Sequence, residues 1–158
     1  MRKLLFFLLF ASLQLCAADL DKASRGFINN NPLNIRFSPR NHWQGQTGSD
    51  GAFCRFDSAK NGFRAAFITI HSYMVVHGLD TVEKIITWWA PPCQNDTEDY
   101  IRFVSRKMGR NKDARLRFVA TDLCPLVAAM ARVECGMIYD DAIIREAFEA
   151  AKAYVDHR

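Results

Sequence analysis

Two carboxylates in this chain stand where acid/base chemistry can use them. Glu134 falls in the last turn of a predicted helix, in the run LVAAMARVECG over residues 126–136. Unpaired carbonyls make that end of a helix negative, and an anion there is disfavoured by roughly 0.3–1 kcal/mol. A general acid needs such surroundings, because it must keep its proton near neutrality. The alternative is that Glu134 faces solvent or pairs with Arg132 or Arg145. Asp50 stands between Gly48 and Gly51 in a polar loop, from which a carboxylate can reach a ligand. If the two faced each other across a cleft, their separation would decide between inverting and retaining glycoside hydrolysis.

Residues that suit a polar ligand cluster ahead of both helices and acid, in RGFINNNPLNIRFSPRNHWQGQTGSDGAFCRF over residues 25–56. Asn29, Asn30 and Asn31 lead into Pro32, and Asn34 follows. Asn tolerates left-handed backbone angles and bonds nearby backbone, so the cluster predicts a tight, hydrogen-bonded turn. Asn30, Asn31, Arg36, Trp43 and Gln44 combine amides, a cation and an aromatic, the surface expected for a sugar-like or peptide-like ligand. The plainer alternative is that a loop needs Asn, Gly and Pro in any case and that Trp43 is a core aromatic. Of the adjacent Trp88 and Trp89, only one can face the core fully. Trp89 fits the buried stripe, which leaves Trp88 to line a groove and stack on a sugar ring, or leaves both partly buried. Asp96 is a further ligand candidate, although a helix cap explains it more simply. No Gly-x-Ser-x-Gly elbow, phosphate-cradling Gly loop or Cys-x-x-Cys pair occurs, and His42, His71, His77 and His157 are scattered. Neither a cofactor nor a metal site is expected.

The elements that must position these groups are mostly helical. Ser58 is the expected N-cap of a helix with Phe63, Phe67, Ile70 and Met74 on one face and Gly78 as its stop. Asp80-Thr81-Val82-Glu83 has the form of a capping box, opening a short helix with Val82, Ile85, Ile86 and Trp89 inward and the Pro91-Pro92 pair behind it. Asn95–Glu98 opens a third helix, carrying Tyr100, Ile101, Phe103, Val104 and Met108 inward as far as Gly109. A fourth is expected from Asp122 to Gly136 with Pro125 in its first turn. Asp140 caps a fifth with Ile144, Phe148, Ala151 and Val155 on one side. Ile35–Phe37 and Phe53–Phe56 alternate apolar and polar residues and are expected to pair as a small hairpin. The expected class is mainly α (α+β), with about five helices packed on a small N-terminal β-hairpin.

Composition bounds the rest. Arg2 and Lys3, the apolar run Leu4–Phe10 and the small residues before Asp19 form the three-part pattern of a secretory signal peptide over residues 1–18, cut near Ala18-Asp19. That pattern implies a secreted or periplasmic protein with no stable membrane insertion after cleavage, and one helical domain over residues 19–158. Losing two of the 21 basic residues against 17 acidic ones leaves a net charge of about +2, which argues against a nucleic-acid partner. Export also leaves an even number of cysteines, Cys54, Cys93, Cys124 and Cys135, and suggests two disulfides. Cys124 and Cys135 lie roughly 16 Å apart at about 1.5 Å per helical residue, too far to pair with each other. Each is therefore expected to pair with Cys54 or Cys93.

The segments RGFINNNPLNIR, WQGQTGSDGAF, FDSAKNGFRA, HGLDTV and WAPPCQNDTEDY, with Glu134-Cys135-Gly136, resemble an uncharacterised family of phage and prophage proteins labelled as structural or virion proteins. Asn31–Arg36, Trp43–Gly45 and Phe53–Ser58 are similar to the substrate-groove segment of bacterial glucosaminidases. A hydrophobic helix ending Val133-Glu134-Cys135-Gly136 resembles the catalytic helix of lytic transglycosylases and endolysins. In those enzymes the acidic helix precedes the groove segment, whereas Glu134 follows it here. The second resemblance implies a lysozyme-like fold and an exported peptidoglycan hydrolase or lytic transglycosylase. Glu134 would be the proton donor, Asp50 its assistant, and peptidoglycan or another glycan the partner. The first implies a non-catalytic phage-derived virion domain, or one binding cell wall or a protein.

Overall fold

The computed structural model describes residues 25–93 and 95–157. The expected signal peptide lies outside the described residues. A helical turn over residues 25–28 runs into the Asn-rich turn, in which Asn30 and Asn34 adopt positive φ of 49° and 50°. Two short antiparallel strands follow, β1 (Gln46–Ser49) and β2 (Cys54–Phe56), with a bulge between Gln46 and Gly48. Five helices complete the domain: α1 (Ala59–His77), α2 (Val82–Trp89), α3 (Thr97–Met108), α4 (Ala120–Cys135) and α5 (Asp141–Asp156). The molecule is mainly helical with a small N-terminal hairpin, as the sequence patterning predicts.

The hairpin pairs differently from expectation. β2 takes Gln46–Ser49 as its partner, while the Ile35–Phe37 stretch joins its other side through the single Arg36–Phe53 bridge. The Cys54 N–H donates to Ile35 O at 2.9 Å, and the Phe37 N–H donates to Ala52 O at 2.9 Å. The expected alternation along β2 holds, with Cys54 and Phe56 buried and Arg55 exposed.

Side chains set the helix starts. Ser58, Thr81, Asp96 and Asp140 accept backbone N–H bonds from Asn61, Lys84, Asp99 and Ala142 at the heads of α1, α2, α3 and α5. α4 begins two residues earlier than expected, with Val119 at the cap position and no side-chain bond there, so Pro125 lies beyond the first turn. The cause is Asp122, which is buried and turned away from capping. It accepts the Arg117 N–H at 2.9 Å and pairs with Arg110 at 2.7 Å, fastening the preceding loop to the helix. Burial alone pushes its carboxyl pKa up, but these bonds outweigh it and hold the group below its ordinary value.

The core lies where α1, α4 and α5 meet. Phe63, Phe67 and Phe148 are fully buried, each contributing about 1.5–3 kcal/mol. The Phe67 and Phe148 rings meet edge to face at 5.3 Å. Two glycines permit close backbone approach. A Cβ on Gly62 of α1 would lie 2.2 Å from Asn30 O, and one on Gly26 would lie 2.8 Å from Cys135 Cβ at the end of α4. The Asn-rich turn is thus pressed against α1 on one side and the end of α4 on the other.

The expected disulfides are corrected by this packing: Cys54, Cys93, Cys124 and Cys135 are all free. Cys54 is a core residue on the inward face of β2, and Cys135 is buried with its thiol donating to Ala131 O at 3.2 Å within α4. Burial pushes both thiols above their ordinary pKa and keeps them protonated. Cys93 is exposed at the proline corner, and Cys124 is half-buried on α4. The four are used as small packing groups and one surface residue. Adding a reductant is therefore expected to leave the melting temperature unchanged; two native bridges would instead be worth roughly 2–5 kcal/mol each, and their loss would show as a clear drop.

Candidate functional site

The asparagines divide into architecture and site. Asn29 Nδ2 donates to Asp50 Oδ2 at 2.7 Å, and Asn29 Oδ1 accepts from Arg55 Nε at 3.2 Å. Asn30 Nδ2 donates to Phe56 O at 3.2 Å. Asn31 is fully buried, with Nδ2 donating to Ile35 O and Cys54 O and Oδ1 accepting the Ile35 N–H at 2.8 Å. Asn30 and Asn31 thus satisfy backbone groups of the turn and of β2, while Asn29 ties the side chains of Asp50 and Arg55 together.

Asp50 belongs to the same scaffold. Its Oδ1 accepts the N–H groups of Phe53 at 2.9 Å and Ala52 at 3.0 Å, closing the turn between the strands, and Arg25 Nε lies 3.6 Å from Oδ2. The Phe53 N–H is the strongest influence on it. With Asn29, Ala52 and Arg25 it outweighs burial and holds the carboxyl down at about 2. A group depressed in this way stabilises the fold above the ordinary carboxylate range, and its contribution is lost as pH falls from about 4 to about 2. Asp50→Asn is expected to cost about 1–3 kcal/mol at neutral pH, with the gap from wild type closing towards pH 2. Thermal melts across that range check this; a gap independent of pH contradicts it.

Glu134 occupies a different place. It is the penultimate residue of α4, and its carboxylate is held from two directions. The Tyr100 hydroxyl on α3 donates to Oε1 at 3.1 Å, and Asn34 Nδ2 donates to Oε2 at 3.2 Å while also reaching Glu134 O at 3.2 Å. Tyr100 is buried, and burial, followed by the Glu134 charge and the hydrogen bond to it, raises its pKa well above the ordinary value, so it stays a donor. Asn34 can make its bonds because its positive φ turns the chain after Pro32 and Leu33 back over the end of α4.

Glu134 lines a groove of about 560 Å³ together with Arg25, Asn34, Arg36, Phe53, Tyr73, Trp88, Trp89, Ala90, Pro91 and Asn95. A smaller cavity of about 310 Å³ adjoins it through Asn34, Arg36, Tyr73 and Trp89, and contains Trp43. Trp88 is 53% exposed, stacked on His77 at 5.0 Å, and Tyr73 meets both tryptophans edge-on. Of the residues singled out from sequence, Glu134, Arg36 and Trp88 meet in the larger cavity and Trp43 lies in the smaller. Asp50, Asn30, Asn31, Gln44 and Asp96 are not among the lining residues. Gln44 is exposed on the loop before β1, and Asp96 caps α3. Missed were Asn34, Tyr100, Tyr73, Arg25 and Asn95. Tyr100 did carry a signal: a tyrosine on a buried stripe needs a partner for its hydroxyl. Among the described residues no three His, Cys, Asp or Glu side chains gather closely enough to hold a metal ion, and no helix is long and apolar enough to cross a membrane.

Fold and site together define a mainly helical domain whose Asn-rich N-terminal segment closes an aromatic-walled groove around a carboxylate at a helix end. No protein-family model matches the chain. It is 35% identical over 139 residues to Protein P5 of Pseudoalteromonas phage PM2, an alignment covering 83% of this chain and 84% of that protein. The chain belongs to the family of that phage protein.

Proposed function

We propose that the protein is an exported peptidoglycan-cleaving enzyme of the lytic transglycosylase type, with Glu134 as its acid/base. The observation that carries this reading is that Glu134 is the one carboxylate among the described residues lining the groove, oriented by Tyr100 and Asn34. Hydrolysis by either two-carboxylate route needs a second carboxylate as nucleophile or as base for water. A single group suffices when the substrate supplies its own nucleophile. Protonated Glu134 gives its proton to the glycosidic oxygen as the bond from the anomeric carbon to that oxygen breaks. The carboxylate then accepts the proton of a hydroxyl on the same sugar as that oxygen bonds to the anomeric carbon. The proton returns to Glu134, and no water is consumed. Trp88, Trp89 and Tyr73 offer faces and edges for sugar rings, and Asn95 and Arg36 offer hydrogen bonds. Export rests on the signal-peptide pattern of residues 1–18.

A second reading has its own support. Both Glu134 oxygens already accept hydrogen bonds within the fold, which equally serves to lock the end of α4. Together with kinship to a phage protein, this favours a non-catalytic virion or cell-wall-binding domain. Incubating the purified protein with peptidoglycan separates the two. Release of soluble muropeptides supports the enzyme, whereas co-sedimentation without release supports the binding domain and rejects catalysis.

A further inference from the structure

We propose that Arg25 and Arg36, gathered around Phe53, form an anion subsite in the groove that receives a carboxylate carried by the saccharide. This rests on the glycan reading above and narrows its substrate class. Both guanidinium groups lie 5.5 Å from the centre of the same Phe53 ring, and so within twice that distance of each other, and all three residues line the cavity that contains Glu134. The ring is a shelf on which cations settle with little motion.

Two positive charges on one wall open to solvent make a patch that suits an anion. Among the described residues no ion pair joins Arg36 to a carboxylate, and Arg36 is exposed. Arg25 pairs with Asp50 at 3.6 Å, which sets one ion-paired carboxylate against the two guanidinium groups. Among the described residues, ion pairs therefore answer only part of this positive charge. Arg36 is held in place by the backbone bonds on either side of its bridge to Phe53. It follows Asn34, which holds Glu134, by two residues, so their Cα atoms lie within about 7 Å. The subsite therefore adjoins the acid. A guanidinium fork matches a carboxylate with paired N–H bonds and gains little from a neutral hydroxyl or acetamide at the same place.

The test uses the full chain carrying Glu134→Gln, which leaves binding readable without turnover. Calorimetric titrations compare neutral N,N′-diacetylchitobiose, the disaccharide of N-acetylglucosamine and N-acetylmuramic acid with its free lactyl carboxylate, and the same disaccharide bearing a stem peptide. At least one acidic ligand is expected to bind about tenfold more tightly than N,N′-diacetylchitobiose, the worth of a charge-assisted bond. Whichever of the two it is identifies the source of the carboxylate. Adding Arg36→Gln should remove the preference and Arg36→Lys, which keeps the charge without the fork, should keep only part of it, and raised salt should weaken it. Equal affinities, absence of binding by all three ligands, or a preference that survives both Arg25→Gln and Arg36→Gln overturns the subsite. Muropeptide release by the wild type is measured alongside. Release without a preference rejects the subsite alone, and a preference without release rejects the glycosidase alone.

Discussion

Glu134→Gln is expected to lower the rate of glycan cleavage by about 10²–10⁴-fold, the usual contribution of a positioned general acid. Glutamine keeps the shape of the side chain and an oxygen for the Tyr100 hydroxyl, so the groove should persist. Two opposing effects act on stability. Losing a charged acceptor for Tyr100 and Asn34 costs about 1–3 kcal/mol, while removing an anion from the negative end of α4 returns about 0.3–1 kcal/mol. The net is a modest loss, far too small to account for an activity change of that size. A melt and a rate measured on the same preparation check this. A large drop in melting temperature with activity per folded molecule retained would make Glu134 a lock for α4 and no more.

Gly62→Ala is expected to destabilise the fold strongly, because Gly62 is buried on α1 where the Asn-rich turn lies against it. Helix propensity alone would favour alanine by about 1 kcal/mol. The added methyl, however, would lie 2.2 Å from the Asn30 carbonyl and 2.8 Å from Pro32 Cδ. Backbone cannot swing aside as a side-chain tip does, so overpacking wins, at a cost of about 1–3 kcal/mol or more beyond that gain. The same shift would lift the Asn-rich turn from α1 and draw Asn34 off Glu134, so activity should fall with stability. Denaturant titration provides the check. A variant as stable as wild type would mean that the contact between α1 and the turn has slack.

What could be read from the residues follows the range of the interaction. The helices were legible because their faces repeat locally, as Phe63, Phe67 and Ile70 do on α1, and because Ser58, Thr81 and Asp140 cap by reaching only two or three residues ahead. β1 was not legible: Gln46–Ser49 is polar, bulged and without alternation, so the more apolar Ile35–Phe37 looked the better partner for β2. Glu134 was recognisable from its position at a helix end. Its partner Asn34 lies 100 residues away, and nothing local separates that asparagine from Asn30 and Asn31, which spend their side chains on backbone, or from Asn29, which bonds Asp50 and Arg55. The disulfides failed for a related reason. Cysteine count speaks to compartment, whereas Cys54 and Cys135 are placed by core packing that only the assembled fold defines.

The central claim is that one carboxylate, Glu134, cleaves the glycan with the substrate's own hydroxyl as nucleophile. Mass spectrometry of the fragments released from purified peptidoglycan tests it most directly. Wild type should yield muropeptides lighter by one water than hydrolytic products, and Glu134→Gln should yield almost none. Fragments that have taken up water, equal release by the variant, or no release by wild type would contradict it.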